Sequence, residues 1–249
     1  MRKGYTMFQQ KIDGLDNALS YVRKRANYPY LKENLAQLAS IDTEVLISYE
    51  LINKHSHTNK ELNHIMCALL LIKQALDIHE SVTEGNLTSE KMRKQRQLTV
   101  LAGDFYSGLY YRELAMLEKP QLIEIFAEAI AGINQARANS YQALQAGKFK
   151  IENLILAESY IHQHLARYFG ESTEYINVIK TAMTLARLKG NKNNVIDVKI
   201  EAKNLWIQFL ETELTKQLNK IKNGELSDRL KNHLTALIQP KHEGELIIL

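Results

Sequence analysis

The sequence predicts an all-α protein built as one helical bundle. Three observations carry this reading. Only three prolines interrupt 249 residues. Apolar residues recur at three- and four-residue spacing in one segment after another, while alternating apolar stretches are very few. The breaks between segments carry capping residues and glycines.

Each element can be justified in turn. Phe8, Ile12, Leu15, Leu19 and Val22 form a helical stripe that ends in the basic cluster Arg23-Lys24-Arg25. Pro29 restarts the chain, and a short helix is expected through Leu38. Asp42 or Thr43 can cap the next helix, which should run to about Lys54. Thr58-Asn-Lys-Glu61 is a capping box opening a long helix with Leu62, Ile65, Met66, Leu69, Ile72 and Leu76 on its buried face. That helix is expected to stop near Glu84 and Gly85, before a polar, basic loop from Asn86 to Lys94. A helix holding a Gly-Asp step follows, to about Glu118. Pro120 fits the first turn of the next helix, which ends near Gly147. Further helices are expected from Ile151 to Phe169 and from Ser172 to Gly190, and a last one from Val195 to Lys222 with the single Trp206. The tail ends in Glu245-Leu-Ile-Ile-Leu249, an apolar end expected to dock or to form part of an interface. One domain spanning residues 1–249 is expected, with a weak subdomain break near Gly190.

Composition narrows the function classes. With 45% hydrophobic and 24% charged residues the chain is ordinary for a soluble globular protein. A net charge of +4, spread along the chain, argues weakly for nucleic acid, and no nucleic-acid partner is expected. The lone Cys67 sits in an apolar helix face, which excludes a disulfide framework and fits a reducing cytosol. Nothing near it in sequence would lower its pKa, so a nucleophilic role is not expected. No leader is visible after Arg2 and Lys3, and the longest apolar run, Ile65 to Ile72, is far short of the ~20 residues of a membrane span. A cytoplasmic protein is expected, with contact at a membrane surface left open.

The stretch from Arg96 to Tyr111 breaks the usual rules for a helix. Gly103 and Gly108 each cost about 1 kcal/mol relative to alanine. Ala102, Gly103, Ser107 and Gly108 form a strip of small side chains that would let another backbone approach. Asp104 shares a face with Gln97, Val100, Leu101, Ser107, Gly108 and Tyr111, which reads as a narrow polar seam in an apolar helix. A buried Asp104 would need a partner, Arg93, Arg96 or a tyrosine hydroxyl. The bland reading of the step is packing and hydrogen bonding; the functional one is that the seam lines a pocket. Upstream, Asp77, Glu80, Ser81 and Glu84 share a helix face, with His79 off it. Carboxylates at this spacing can hold a divalent cation, although a solvated acidic helix end is the plainer reading, so Asp77 and Glu80 are weak metal candidates. Lys91, Arg93, Lys94 and Arg96 could hold a diphosphate or could simply be solvated. There is no Walker loop and no G-x-G-x-x-G. His162 and His164 are two apart on a helix and make a poor metal pair. No Ser-His-Asp arrangement can be argued.

The string from Gln97 to Tyr111, QLTVLAGDFYSGLYY, closely resembles the signature of component I, the small-subunit family of bacterial heptaprenyl diphosphate synthase. The resemblance extends to Ala75–Val82 (ALDIHESV) and to Tyr28-Pro-Tyr-Leu31, and thins after about Ala115. It implies a degenerate relative of the trans-prenyl diphosphate synthases, in which an aspartate-rich helix binds magnesium, arginines follow, and a helix with a Gly-Asp step comes next. It also implies a catalytic partner, component II, that brings the magnesium ions and extends farnesyl diphosphate with isopentenyl diphosphate for the menaquinone side chain.

The departures from the catalytic pattern bear on function. No Asp-Asp pair occurs anywhere in the chain; Asp77-Ile-His-Glu80 stands where the first motif would, and Asp197 and Asp228 are isolated. Ionising an allylic diphosphate needs several divalent cations to neutralise the leaving charge. An accessory subunit with no catalytic residue and no cofactor of its own is therefore expected. Gln97, Gly103, Asp104, Ser107, Gly108, Tyr110 and Tyr111 are its interface or tunnel candidates, and Arg93 and Arg96 its diphosphate candidates. The alternatives are a self-sufficient enzyme using Asp77, Glu80 and Glu84 for magnesium, and a basic helical scaffold.

Overall fold

The computed structural model describes residues 2–27, 41–82, 88–148, 150–190 and 200–239, with side chains from 14 onward in the first stretch and from 202 in the last. Among the described residues every regular element is an α-helix: α1 (Arg2–Ala26), α2 (Thr43–His55), α3 (Asn59–Glu80), α4 (Glu90–Ala115), α5 (Pro120–Gln145), α6 (Ile151–Tyr168), α7 (Thr173–Lys189), α8 (Ile200–Lys220) and α9 (Asp228–Ile238). None is long and apolar enough to cross a membrane. The chain divides into two compact units, Met1–Glu128 and Ala129–Leu249, so the division falls inside α5 and Gly190 lies within the second unit.

In the first unit α3 is the central helix, with α1, α2 and α4 packed on it. From Ile65 to Ile72 every side chain is buried, so α3 is enclosed all round, where the sequence stripe suggested a single buried face. Leu15, Leu19 and Val22 of α1 are buried as their spacing requires. The expected caps are in place. Asp42 accepts from the Val45 amide at 2.9 Å, and Thr58 accepts from the Glu61 amide at 3.1 Å. The Glu61 carboxylate completes a variant of the capping box. It reaches back to the His57 amide at 3.1 Å and also takes the Lys119 ammonium, tying the α4–α5 turn to the start of α3. Burial alone would raise the Glu61 carboxyl; Lys119 and the His57 amide outweigh it and hold the group below its usual value.

Two boundaries differ from expectation. The helix α3 ends at Glu80 with Ser81 as its cap, and Glu84 and Gly85 lie outside the described residues. The run expected as a basic loop is largely helix. Ser89 caps α4 through the Met92 amide at 3.2 Å, and Glu90-Lys-Met-Arg-Lys-Gln-Arg, all good helix formers, makes its first turns. The expected helix at Pro29–Leu38, the segment from Asn191 to Asn194 and the apolar tail lie outside the described residues.

In the second unit α7 is the central helix, packed by α6, α8 and α9. The stop at Gly170 (φ 75°) is a left-handed cap, with the Glu171 amide bonded to the Ala166 carbonyl at 2.9 Å. Helix α9 was not among the expected elements. Its signal is Ser227, which caps the Leu230 amide, followed by buried Leu230 and Leu234.

Candidate functional site

Helices α3 and α4 run antiparallel, and α4 divides into two faces. The inner face, Ala102, Gly103, Tyr106, Leu109, Tyr110, Glu113 and Leu114, is buried. The outer face carries Gln97, Leu101, Asp104, Gly108 and Tyr111, all exposed, with Leu101 61% and Tyr111 47% exposed. The strip of small residues is therefore split. Ala102 and Gly103 face α3, Ser107 is half-buried, and Gly108 faces out.

The Gly-Asp step has a local explanation. A Cβ on Gly103 would stand 2.5 Å from Cε1 of His79, so the glycine makes room for that imidazole at the end of α3. Asp104, the next residue, sets its carboxylate 3.7 Å from His79 Nε2. This corrects the sequence reading in two respects. Asp104 is not buried, since its side chain is 66% exposed, and its partner is His79 rather than Arg93, Arg96 or a tyrosine. The polar seam is an outward face. The signal was available, because His79 stands two residues after Asp77 in the stretch already singled out, but the choice of face hid it. Gly108 is different: a Cβ there would meet nothing within 4 Å.

Tyr110 and Tyr111 stack with ring centroids 4.2 Å apart and link the two faces. Burial pushes the Tyr110 phenol well up, and its hydrogen bond with Tyr111 adds to the shift. The Tyr106 hydroxyl is fully buried without a hydrogen-bond partner, and burial raises it too. Arg93 and Arg96, with Gln97, Val100 and Leu101, line an open concavity of about 530 Å³ on the outer side of α4.

The acidic candidates on α3 are engaged within the fold. Lys73 Nζ lies 3.8 Å from Asp77 Oδ1 and 3.8 Å from Glu44 Oε2, so Asp77 belongs to an ion-pair chain between α2 and α3. Glu80 is half-buried at the end of α3, and Ser81 donates to the Ile78 carbonyl at 2.7 Å. Among the described residues no three His, Cys, Asp or Glu side chains gather in a way that could hold a metal ion.

Sequence reasoning missed the polar centre of this unit. Glu113 of α4 is fully buried. Its Oε1 meets Arg25 Nε at 2.8 Å, and its Oε2 accepts from the Tyr21 hydroxyl at 2.9 Å and faces His64 Nδ1 at 2.8 Å. The contact with a carboxylate requires the proton on Nδ1 of His64. Tyr21 and Arg25 are one turn apart on α1, and the guanidinium lies 5.6 Å from the Tyr21 ring centroid. The Tyr21 phenol is pushed up to about 12, first by burial, then by its bond to Glu113 and that group's charge. Buried Cys67 is likewise pushed well up, by burial and by Glu113, which keeps its thiol protonated. The four polar residues come from three helices, and beyond the Tyr21–Arg25 turn of α1 no local spacing links them. The arrangement pairs charges and binds helices together.

Residues 28–241 match the family model for heptaprenyl diphosphate synthase (HEPPP synthase) subunit 1. The chain is 43% identical over 84 residues to heptaprenyl diphosphate synthase component 1 of Geobacillus stearothermophilus, a match that spans 33% of this chain and 36% of that protein. Among solved structures it resembles the geranylgeranyl pyrophosphate synthase of Lactobacillus brevis ATCC 367, with a TM-score of 0.68 at 12% identity over 96% of this chain and 99% of the other. A decaprenyl diphosphate synthase from Rhodobacter capsulatus gives a TM-score of 0.58 at 13% identity over 94% and 95% of the two chains. At such identities the likeness is one of fold: the all-α bundle is similar to the trans-prenyl diphosphate synthase fold.

Proposed function

This chain belongs to the heptaprenyl diphosphate synthase subunit 1 family, and from that premise we propose that it is the accessory subunit of a two-component synthase. Its partner is the catalytic component II, which carries the aspartate motifs and the magnesium ions. Together they extend farnesyl diphosphate with isopentenyl diphosphate to the heptaprenyl product used for the menaquinone side chain. The assembly works in the cytoplasm, with the membrane surface as the destination of its apolar product.

The observation that carries this reading is the outer face of α4. Gln97, Leu101, Asp104, Gly108 and Tyr111 lie along one side of the helix, exposed, within the string that resembles the family signature. Gly108 weakens the helix by about 1 kcal/mol relative to alanine, yet among the described residues no atom lies within 4 Å of where its Cβ would stand. A glycine kept open toward solvent suits close approach by a second protein. The missing Asp-Asp pairs, and the engagement of Asp77 with Lys73, support a subunit that does not assemble the metal cluster itself.

The test is incorporation of labelled isopentenyl diphosphate onto farnesyl diphosphate with magnesium. It compares this chain alone, the catalytic subunit alone, and the mixture. Long-chain product from the mixture only is the expected result. Product from this chain alone would overturn the proposal and make Asp77 and Glu80 the first residues to replace.

A further inference from the structure

Among the described residues, the first three turns of α4 bury no side chain. The contact between His79 and Gly103 puts the end of α3 beside the middle of α4. The twelve residues from Glu90 to Leu101 therefore run on past α3, an arm of about 18 Å at 1.5 Å per residue. No residue of that arm is buried; the first buried residue of α4 is Ala102. The arm carries Lys91, Arg93, Lys94 and Arg96 against the single carboxylate of Glu90. It also exposes Met92, Leu98, Val100 and Leu101.

The placement of those four apolar side chains tells which partner fits. At 100° per residue they stand at roughly 0, 240, 80 and 180° around the axis, so they surround the helix. A helix lying on a lipid surface needs its apolar residues on one side, with the charges on the other. Here a flat surface would leave half of them in water. A protein groove that wraps the arm would cover all four and place carboxylates against the four cations. We infer that the arm Glu90–Leu101 inserts into an acidic, apolar-floored groove of the partner subunit, with Arg93 and Arg96 meeting its carboxylates and Leu101 its floor. The inference deepens the accessory-subunit reading and rests on it.

The double variant Arg93→Glu/Arg96→Glu tests this, with Leu101→Asp beside it. Arg93 and Leu101 are exposed and Arg96 is half-buried, so neither variant alters a buried side chain, and circular dichroism and thermal melting of the free chain should match the parent. Affinity for the catalytic subunit is then measured by titration calorimetry from low to high salt, and binding to anionic phosphatidylglycerol vesicles by co-sedimentation. The expected result is a loss of about tenfold or more in affinity for each variant, and a flatter salt dependence for the double variant. If the parent chain forms no complex, the accessory-subunit reading itself fails, and the arm with it. If the parent binds, Gly108→Leu breaks the complex, and the double variant binds with unchanged affinity and salt slope, the arm is refuted while the outer face of α4 stands. If the double variant loses vesicle binding and keeps its affinity for the partner, the counterpart of the arm is a lipid surface and the inference is overturned.

Discussion

Replacing Gly108 with alanine should push two measurements in opposite directions. In the free chain the new methyl group meets nothing within 4 Å, and φ at this position is ordinary, so no strain or clash arises. What remains is the propensity difference, about 0.5–1 kcal/mol in favour of alanine inside a helix. The free chain should gain that much stability, read as a higher denaturant midpoint at unchanged slope. In the complex the same methyl group must fit where the partner's backbone approaches. Overfilling a packed contact costs about 1–3 kcal/mol, a weakening of about 5- to 150-fold. Titration calorimetry with the catalytic subunit would read the second effect, and product formation in the mixture would fall with it at limiting concentration. A more stable chain with unchanged affinity would refute the assignment of this face to the partner. A less stable chain would refute the open environment of Gly108 itself. Gly103→Ala is the control, because its Cβ meets the His79 ring at 2.5 Å and must displace it, so no comparable gain in the free chain is expected.

Other outcomes follow from the polar contacts of the first unit. Glu113→Gln should destabilise the chain by about 3 kcal/mol in urea unfolding, near the low end for a buried ion pair because Arg25 still meets water on one side; a loss below about 1 kcal/mol would mean the cluster does not hold α1 to α3 and α4. Glu61 has a carboxyl below its usual value, so its contribution is present above the ordinary value of 4.5 and is lost as pH falls through the folded value. Lys119→Met should therefore flatten the acid limb of the stability–pH curve and leave its alkaline limb alone, and an unchanged acid slope would remove Lys119 as the cause.

Much of the fold was legible in the sequence because helix signals are local. Asp42, Thr58, Ser172 and Gly170 act within four residues of themselves, and each does in the structure what its position suggested. The errors arose where two signals competed. Glu90–Arg96 is rich in both charge and helix formers; charge suggested a loop, and the Ser89 cap with good propensity made a helix. The candidate site was legible in part. Its residues fall on one helix, but which face points inward depends on what packs there, and that is set by α3. Glu113 was out of reach for the same reason. A lone glutamate near the end of an amphipathic helix is ordinary in sequence, and only the meeting of α1, α3 and α4 gives it Arg25, Tyr21 and His64 as partners.

The two glycines of α4 bear on how such a helix is to be judged. Each weakens the helix by a similar amount. For Gly103 the compensation lies within the chain: the His79 ring takes the space, and Asp104 meets its Nε2. For Gly108 none is found among the described residues. Proteins are stable by only about 5–15 kcal/mol, so a cost of this size is a measurable share of the whole, and a free chain would be better off without it. A local rule broken without gain inside the fold directs attention to a gain outside it. The same reasoning extends along the helix to Leu101 and Tyr111, large side chains left in water on the side that Gly108 leaves bare. Small and large residues in register along one exposed face are what a second backbone needs: a place to come close, flanked by surface to cover.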